Sequence, residues 1–233
     1  MTESEPTAES TPTVLSWSGG KDAAVALEAL RDDPAVRVTG LLTTVSAATD
    51  RTTMHGVRPE LIEAQADALS LPLRTVELPA DPSNDEYEAR MRAVHDELAG
   101  EGVERVAFGD LYLEDVRAYR ESNLADAALD GVWPLWGRDT GELAREFVDR
   151  GFRAIVVCVD GSVLDASFVG REYDASLLAD LPDGVDPCAE NGEFHTFVVG
   201  GPGFDSAVGV ERGETVTRDV QGSAFHYQDL LAR

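Results

Sequence analysis

Two rhythms of apolar and polar positions alternate along the first two-thirds of the chain. Short apolar, β-branched runs at residues 13–17, 36–45, 73–78, 103–108 and 154–159 read as strands. The segments between them carry apolar residues at helical spacing. Ala24, Leu27 and Leu30 share one face over residues 20–31. Leu61, Ile62, Ala66 and Leu69 do so over 59–69, where Pro59 suits the first turn. Helices are also predicted over 84–99, capped by Ser83 or Asn84, and over 114–128 and 140–150, with a short apolar segment at 132–136 between the last two. Strands separated by helices predict an α/β parallel sheet with right-handed crossovers. In such sheets ligands sit beyond the carboxyl ends of the strands.

After residue 160 the rhythm changes. The helix at 175–181 is short, glycine and proline are frequent, and short strands are expected at 194–199, 206–212, 214–218 and 223–230. The expected organisation has three parts. Residues 1–12, rich in Ser, Thr, Glu and Pro, form a disordered acidic tail. Residues 13–160 form the main domain, with about five strands between helices, and residues 161–233 a smaller α+β subdomain.

Charge narrows the function. The chain of 233 residues has 44 acidic and 19 basic residues and a formal net charge of −25. Such a chain lacks the Lys/Arg patches that general nucleic-acid binding needs, but a protein partner stays open. An acid excess with almost no lysine suggests a halophilic protein, whose self-repulsion high salt would screen. No apolar run reaches the ~20 residues of a membrane span, and the N-terminus lacks the basic start and apolar centre of a signal peptide. The expectation is a cytoplasmic protein with no membrane contact. Cys158 and Cys188 form no CxxC or metal spacing. Cys158, inside an apolar run, reads as a buried thiol.

The candidate chemistry begins at Ser18-Gly19-Gly20-Lys21-Asp22, between the first strand and the first helix. Glycines let backbone N–H groups approach phosphate oxygens, and a helix N-terminus favours the anion. Lys21 is the only lysine in the chain. Neither a Walker A loop nor GxGxxG is present. Thr43, Gly109 and Asp110 also fall at predicted strand ends, where a ligand in this sheet would lie. Several residues have two readings. Asp110 and Glu114 could bind Mg²⁺ through oxygen ligands, or Asp110 could cap the helix. Arg117 and Arg120 could grip phosphate or a carboxylate, or pair with Glu114 and Glu121. Glu190, Glu193 and His195 could converge from a loop to orient a substrate or act as a base, or form a solvated turn. His55 borders a nucleotide base or is surface; Trp133 and Trp136 read as core aromatics.

The loop resembles the PP-loop, SGGxD[S], of ATP enzymes that cleave between the α- and β-phosphates, with Ala23 where Ser or Thr is usual. The block Gly109-Asp110-Leu111-Tyr112-Leu113-Glu114-Asp115-Val116-Arg117-Ala118-Tyr119-Arg120-Glu121 is similar to one in the diphthine–ammonia ligase family, as is Pro134-Leu135-Trp136. Glu190-Asn191-Gly192-Glu193-Phe194-His195-Thr196 stands at that family's C-terminal signature. The blocks together run from about residue 13 to 200. Asn191 and His195 replace a glycine and an acid of the signature, which resembles a sister subgroup linked to cobalamin salvage.

The resemblance implies a HUP-type fold and an AMP-forming ligase that adenylates a carboxylate and amidates it with ammonia, using ATP and Mg²⁺. It implies ATP contacts from Trp17, Ser18, Gly19, Gly20, Lys21, Asp22, Thr43, His55, Gly109 and Asp110, with Asp22 and Asp110 as candidate Mg²⁺ ligands. Lys21, Asp22, Glu190, Glu193 and His195 are the expected catalytic set, and Glu114, Arg117, Arg120 and Asn191 the expected substrate contacts. The partner is then elongation factor 2 bearing the substrate carboxylate, or a small-molecule acid; a homodimer is left open. A PP-loop tRNA-modifying enzyme is a rival reading that the net charge disfavours. A non-catalytic adenine-nucleotide-binding protein is another, which Ala23 favours.

Overall fold

The computed structural model describes residues 10–80, 82–220 and 222–233. Residues 1–9 of the expected tail lie outside them, while Thr11 and Pro12 already belong to the first strand. The elements in chain order are β1 (Thr11–Ser16), α1 (Lys21–Asp32), β2 (Val36–Ser46), β3 (Arg51–Thr52), α2 (Pro59–Ala68), β4 (Leu73–Leu78), α3 (Asn84–Gly100) and β5 (Arg105–Ala107). They continue as α4 (Glu114–Ala125), β6 (Asp130–Val132), α5 (Thr140–Asp149), β7 (Arg153–Asp160), a 3₁₀ turn (Ala166–Phe168), α6 (Ala175–Asp180), β8 (Phe194–Gly200), β9 (Val210–Val220) and β10 (Ser223–Ala232).

β4, β2, β1, β5 and β6 pair in parallel in that order, the α/β sheet expected from the alternation. β2 runs past the end of β1, and the two residues of β3 pair antiparallel with that overhang. β3 lies between β2 and α2, outside the predicted strands. Side chains alternate across the sheet. Val14, Leu42 and Val106 face α3 and α4; Leu15, Leu41 and Ala107 face α1 and α2. Leu61 and Ile62 of α2 are fully buried, each worth about 1.5–3 kcal/mol of apolar burial.

The strand at 153–160, which the alternating pattern places last in the parallel series, is the first strand of a second sheet. That sheet is antiparallel throughout, in the order β8-β7-β10-β9. The core formed by α1 and α2 continues without a break into β7 and β8. β8 reaches back to the turn after β1, where the Val198 N–H donates to the Gly19 carbonyl at 2.9 Å. Among the described residues no helix is long and apolar enough to cross a membrane.

Helix starts differ in a way that matters for the site. α3 begins with a capping box: Ser83 Oγ accepts from the Glu86 N–H, and the Glu86 carboxylate accepts from the Ser83 N–H. α1 has Gly20 as its N-cap and no side-chain cap. Its first N–H groups are left for another partner.

Candidate active site

The turn between β1 and α1 accepts only glycine at two positions. Gly19 has φ +79°, a region other residues rarely adopt, and a Cβ there would lie 2.7 Å from Ile62 Cδ1 and 2.8 Å from Gln65 Oε1. At Gly20 a Cβ would meet His55 Cε1 at 2.8 Å and the Thr196 carbonyl oxygen at 3.3 Å. The Gly20 N–H donates to Ser18 Oγ at 3.2 Å, and the Lys21 N–H to Thr196 Oγ1 at 3.1 Å. Neither the Asp22 nor the Ala23 N–H donates to another residue among the described residues. Ala23, where the motif usually has a hydroxyl, is buried at the cavity wall.

Above this turn lies a cavity of about 820 Å³ at the carboxyl ends of β1, β2 and β5, of a size that holds a nucleotide-sized ligand. It brings together Trp17, Ser18, Asp22, Thr43, His55, Gly109, Asp110, Arg120, Glu190, Asn191 and His195. A smaller cavity of about 260 Å³, between Pro12, Arg37 and Glu101, lies at the opposite end of the strands.

Other predicted residues are placed elsewhere. The Lys21 side chain is buried, with its ammonium 2.8 Å from Asp22 Oδ2 and donating to the Cys188 carbonyl. It lies 5.6 and 5.8 Å from the ring centres of Phe194 and Tyr173. Burial works against its charge, but Asp22, together with Cys188 and Glu190, outweighs that and holds its pKa above the usual lysine value. Glu193 is buried in its own loop, where it accepts from the Asp186 N–H at 3.2 Å and the Asn191 N–H at 3.1 Å. Glu114 is exposed at the start of α4. Arg117 pairs with Glu121 at 2.9 Å and lies 4.7 and 4.8 Å from the ring centres of Trp133 and Trp136. Asp110 does not cap α4, whose N-cap is Leu113. Its carboxylate instead holds Arg120 at 3.0 Å and accepts from Trp133 Nε1 at 3.2 Å.

The titrating groups of the cavity separate cleanly. Glu190 Oε1 accepts from the Leu111 N–H at 2.7 Å, and Oε2 has no protein partner among the described residues. Burial, then the charges of Asp22 and Asp110, push its pKa up to about 7 against those backbone bonds. The His55 and His195 rings lie 4.6 Å apart, and His55 Nδ1 is 3.0 Å from the Thr196 carbonyl oxygen. Burial lowers the His55 pKa to about 4 and that of His195 well below its ordinary value, with the Lys21 charge adding to both. Both imidazoles are therefore neutral near pH 7, and the group poised to exchange a proton there is Glu190.

The chemistry of this arrangement suits a phosphate-bearing ligand such as a nucleoside triphosphate: two unpartnered N–H groups lie at a helix N-terminus, whose partial positive charge favours an anion. The metal fit is narrower. Among the described residues no group of three or more His, Cys, Asp or Glu side chains is placed to hold a metal ion. That is compatible with Mg²⁺ held through one or two carboxylates and the phosphates.

Three further residues shape the site. Thr196 receives the first N–H of α1. Asp186 folds the 186–193 loop by accepting from the Cys188 and Glu190 N–H groups, each at 3.0 Å. Gln65 is fully buried beneath the turn; its signal was a polar residue within the apolar stripe of α2.

Residues 11–125 match the model of the diphthamide synthase N-terminal domain, and residues 139–227 that of the diphthamide synthase C-terminal domain. Two curated relatives, each named diphthine–ammonia ligase, come from Bos taurus and Homo sapiens. Each is 28% identical over 183 residues, covering 70% of this chain and 67% of the relative.

Proposed function

Because the chain belongs to the diphthamide synthase family, we propose that it is an ATP-dependent ligase that amidates a carboxylate with ammonia through an acyl-adenylate. The observation that carries this reading is one cavity holding both the unpartnered N–H groups of α1 and a carboxyl with a pKa of about 7. The substrate is the carboxylate of diphthine on elongation factor 2.

The Asp22 and Ala23 N–H groups and the positive end of α1 receive the β- and γ-phosphates. They stabilise the charge that develops on pyrophosphate as the substrate carboxylate attacks the α-phosphorus. Mg²⁺, when bound, neutralises phosphate charge, with Asp22 the loop carboxylate best placed to hold it and Asp110 the second. Glu190 then takes the proton that ammonia sheds as it displaces AMP from the acyl group. Its bonds to Leu111 and Tyr112 fix where that proton goes. The neutral His55 and His195 rings add no positive charge and orient groups by hydrogen bonding. Arg120, compensated by Asp110, lines the side of the cavity away from β2 and borders the acceptor.

With ATP, Mg²⁺, ammonium and diphthine-bearing elongation factor 2, the purified protein is expected to yield AMP, pyrophosphate and amide in equal amounts. AMP formation that ignores both the acid and ammonium would overturn the ligase reading.

A further inference from the structure

Gln65 is fully buried, yet it sits in the stripe of α2 formed otherwise by Leu61, Ile62 and Ala66. Both ends of its amide are engaged. Oε1 accepts from Trp17 Nε1–H at 2.8 Å, and Nε2 donates to the carbonyls of Gly19 at 3.0 Å and Val198 at 2.6 Å. An indole N–H can only donate, so Trp17 decides which end of the amide is oxygen. Both amide hydrogens are thereby turned to the two carbonyls. The Gly19 carbonyl takes a second bond from the Val198 N–H.

A trans, planar peptide places its C=O and the following N–H on opposite sides. With the Gly19 oxygen drawn toward α2 and β8, the Gly20 N–H points the other way. It donates to Ser18 Oγ, which lines the cavity. Gly19 lacks the steric preferences that would by themselves fix this peptide, because glycine adopts either sign of φ with similar ease. The direction comes from outside the loop, from the Gln65 side chain 46 residues away in sequence together with the Val198 N–H.

We propose that Gln65 is the positioning residue of the anion site. It holds the Gly19–Gly20 peptide with its N–H on Ser18 Oγ at the cavity wall, so that a phosphate oxygen that displaces this hydroxyl finds a donor already aimed. This rests on the phosphate-loop reading above and deepens it. Pre-aimed dipoles are worth more to a developing anion than dipoles that must turn to meet it.

The test compares Gln65→Met, similar in shape but without donors, with Gln65→Glu, using inorganic pyrophosphate as the probe. Gln65→Met is expected to weaken pyrophosphate binding and raise the KM for ATP by about tenfold or more, the loss of one charge-assisted hydrogen bond. The KM for ammonium stays unchanged. In ¹⁵N spectra the Gly20 amide shifts on adding pyrophosphate to the parent protein and stays still in Gln65→Met. Gln65→Glu can still accept from Trp17 but donates to Gly19 only when protonated. Its pyrophosphate affinity relative to the parent therefore recovers as pH falls.

A folded Gln65→Met that binds pyrophosphate as tightly as the parent overturns the proposal while leaving the function intact. Should Gln65→Met fail to fold, a Gln65→Glu protein whose relative affinity ignores pH overturns it equally. A parent protein that does not bind pyrophosphate overturns the proposal and the function together.

Discussion

Replacing Glu190 with Gln is expected to lower kcat by about 10²–10⁴-fold, the usual worth of a positioned proton acceptor. The fold should survive, because the Gln side-chain oxygen can still accept from the Leu111 N–H that Glu190 now holds. The pH dependence carries the diagnostic sign. The parent acts as a base only when Glu190 is ionised, so kcat/KM rises as pH climbs through about 7. In Glu190→Gln that limb disappears when free ammonia, which itself rises with pH, is held constant. Stability moves the opposite way. A carboxyl whose pKa is raised from 4.5 to about 7 holds its proton more firmly folded than unfolded. Its contribution to stability is full below pH 4.5 and is lost as pH rises through 7; in Glu190→Gln this part of the slope vanishes. Steady-state rates and thermal melts across pH 5–9 check both signs. A variant with the parent's rate would remove Glu190 from the chemistry.

Lys21→Met is expected to destabilise the fold by about 3 kcal/mol, at the low end for breaking a buried ion pair because Asp22 keeps some contact with solvent. For a chain of this size that lowers Tm by roughly 6–12 °C. The reason is where the ammonium points. It ties the start of α1 to the Cys188 carbonyl, two residues before Glu190, and so joins the phosphate turn to the loop carrying the proton acceptor. Removing it strands the Asp22 charge and the Cys188 carbonyl, and lets the loop drift from the cavity. Activity should therefore fall even at temperatures where the variant is folded. A Tm within 2 °C of the parent would mean that this strut is absent and that Lys21 acts as a simple surface charge.

The parallel sheet was legible because its signals are local. The 73–78 run became β4 with the same bounds, and the apolar faces of α1 and α2 are those expected from helical spacing. Sheet membership was not legible for β7. A strand buried on both sides reads the same in a parallel or an antiparallel setting, and only pairing with β8 and β10 decides it. Residues 206–212 and 214–218 were expected to be two strands broken at Gly213. Residues 210–220 are instead one strand, β9, with a register shift opposite Gly213, between Gln228 and Leu230. There glycine marks a bulge, which in sequence looks like a turn.

The candidate site divides on the same line. The turn after β1, Asp110 and Glu190 could be read from motif and position, and Ser18, Asp22, Asp110 and Glu190 line one cavity. The direction of Lys21, the burial of Glu193 in its own loop and the bracing by Gln65 and Thr196 could not. Each depends on a contact set by the folding of the 186–196 segment onto the turn, up to 175 residues away in sequence. A charged residue in a motif reads as a ligand contact until the fold supplies it with a partner.

Activation of the carboxylate at the α-phosphorus can be followed by oxygen tracing. The substrate carboxylate is labelled with ¹⁸O, and the phosphorus products of one turnover with ATP, Mg²⁺ and ammonium are weighed by mass spectrometry. Attack at the α-phosphorus leaves one ¹⁸O in AMP and none in pyrophosphate. Label recovered in orthophosphate, with ADP as the other product, would place the attack at the γ-phosphorus instead.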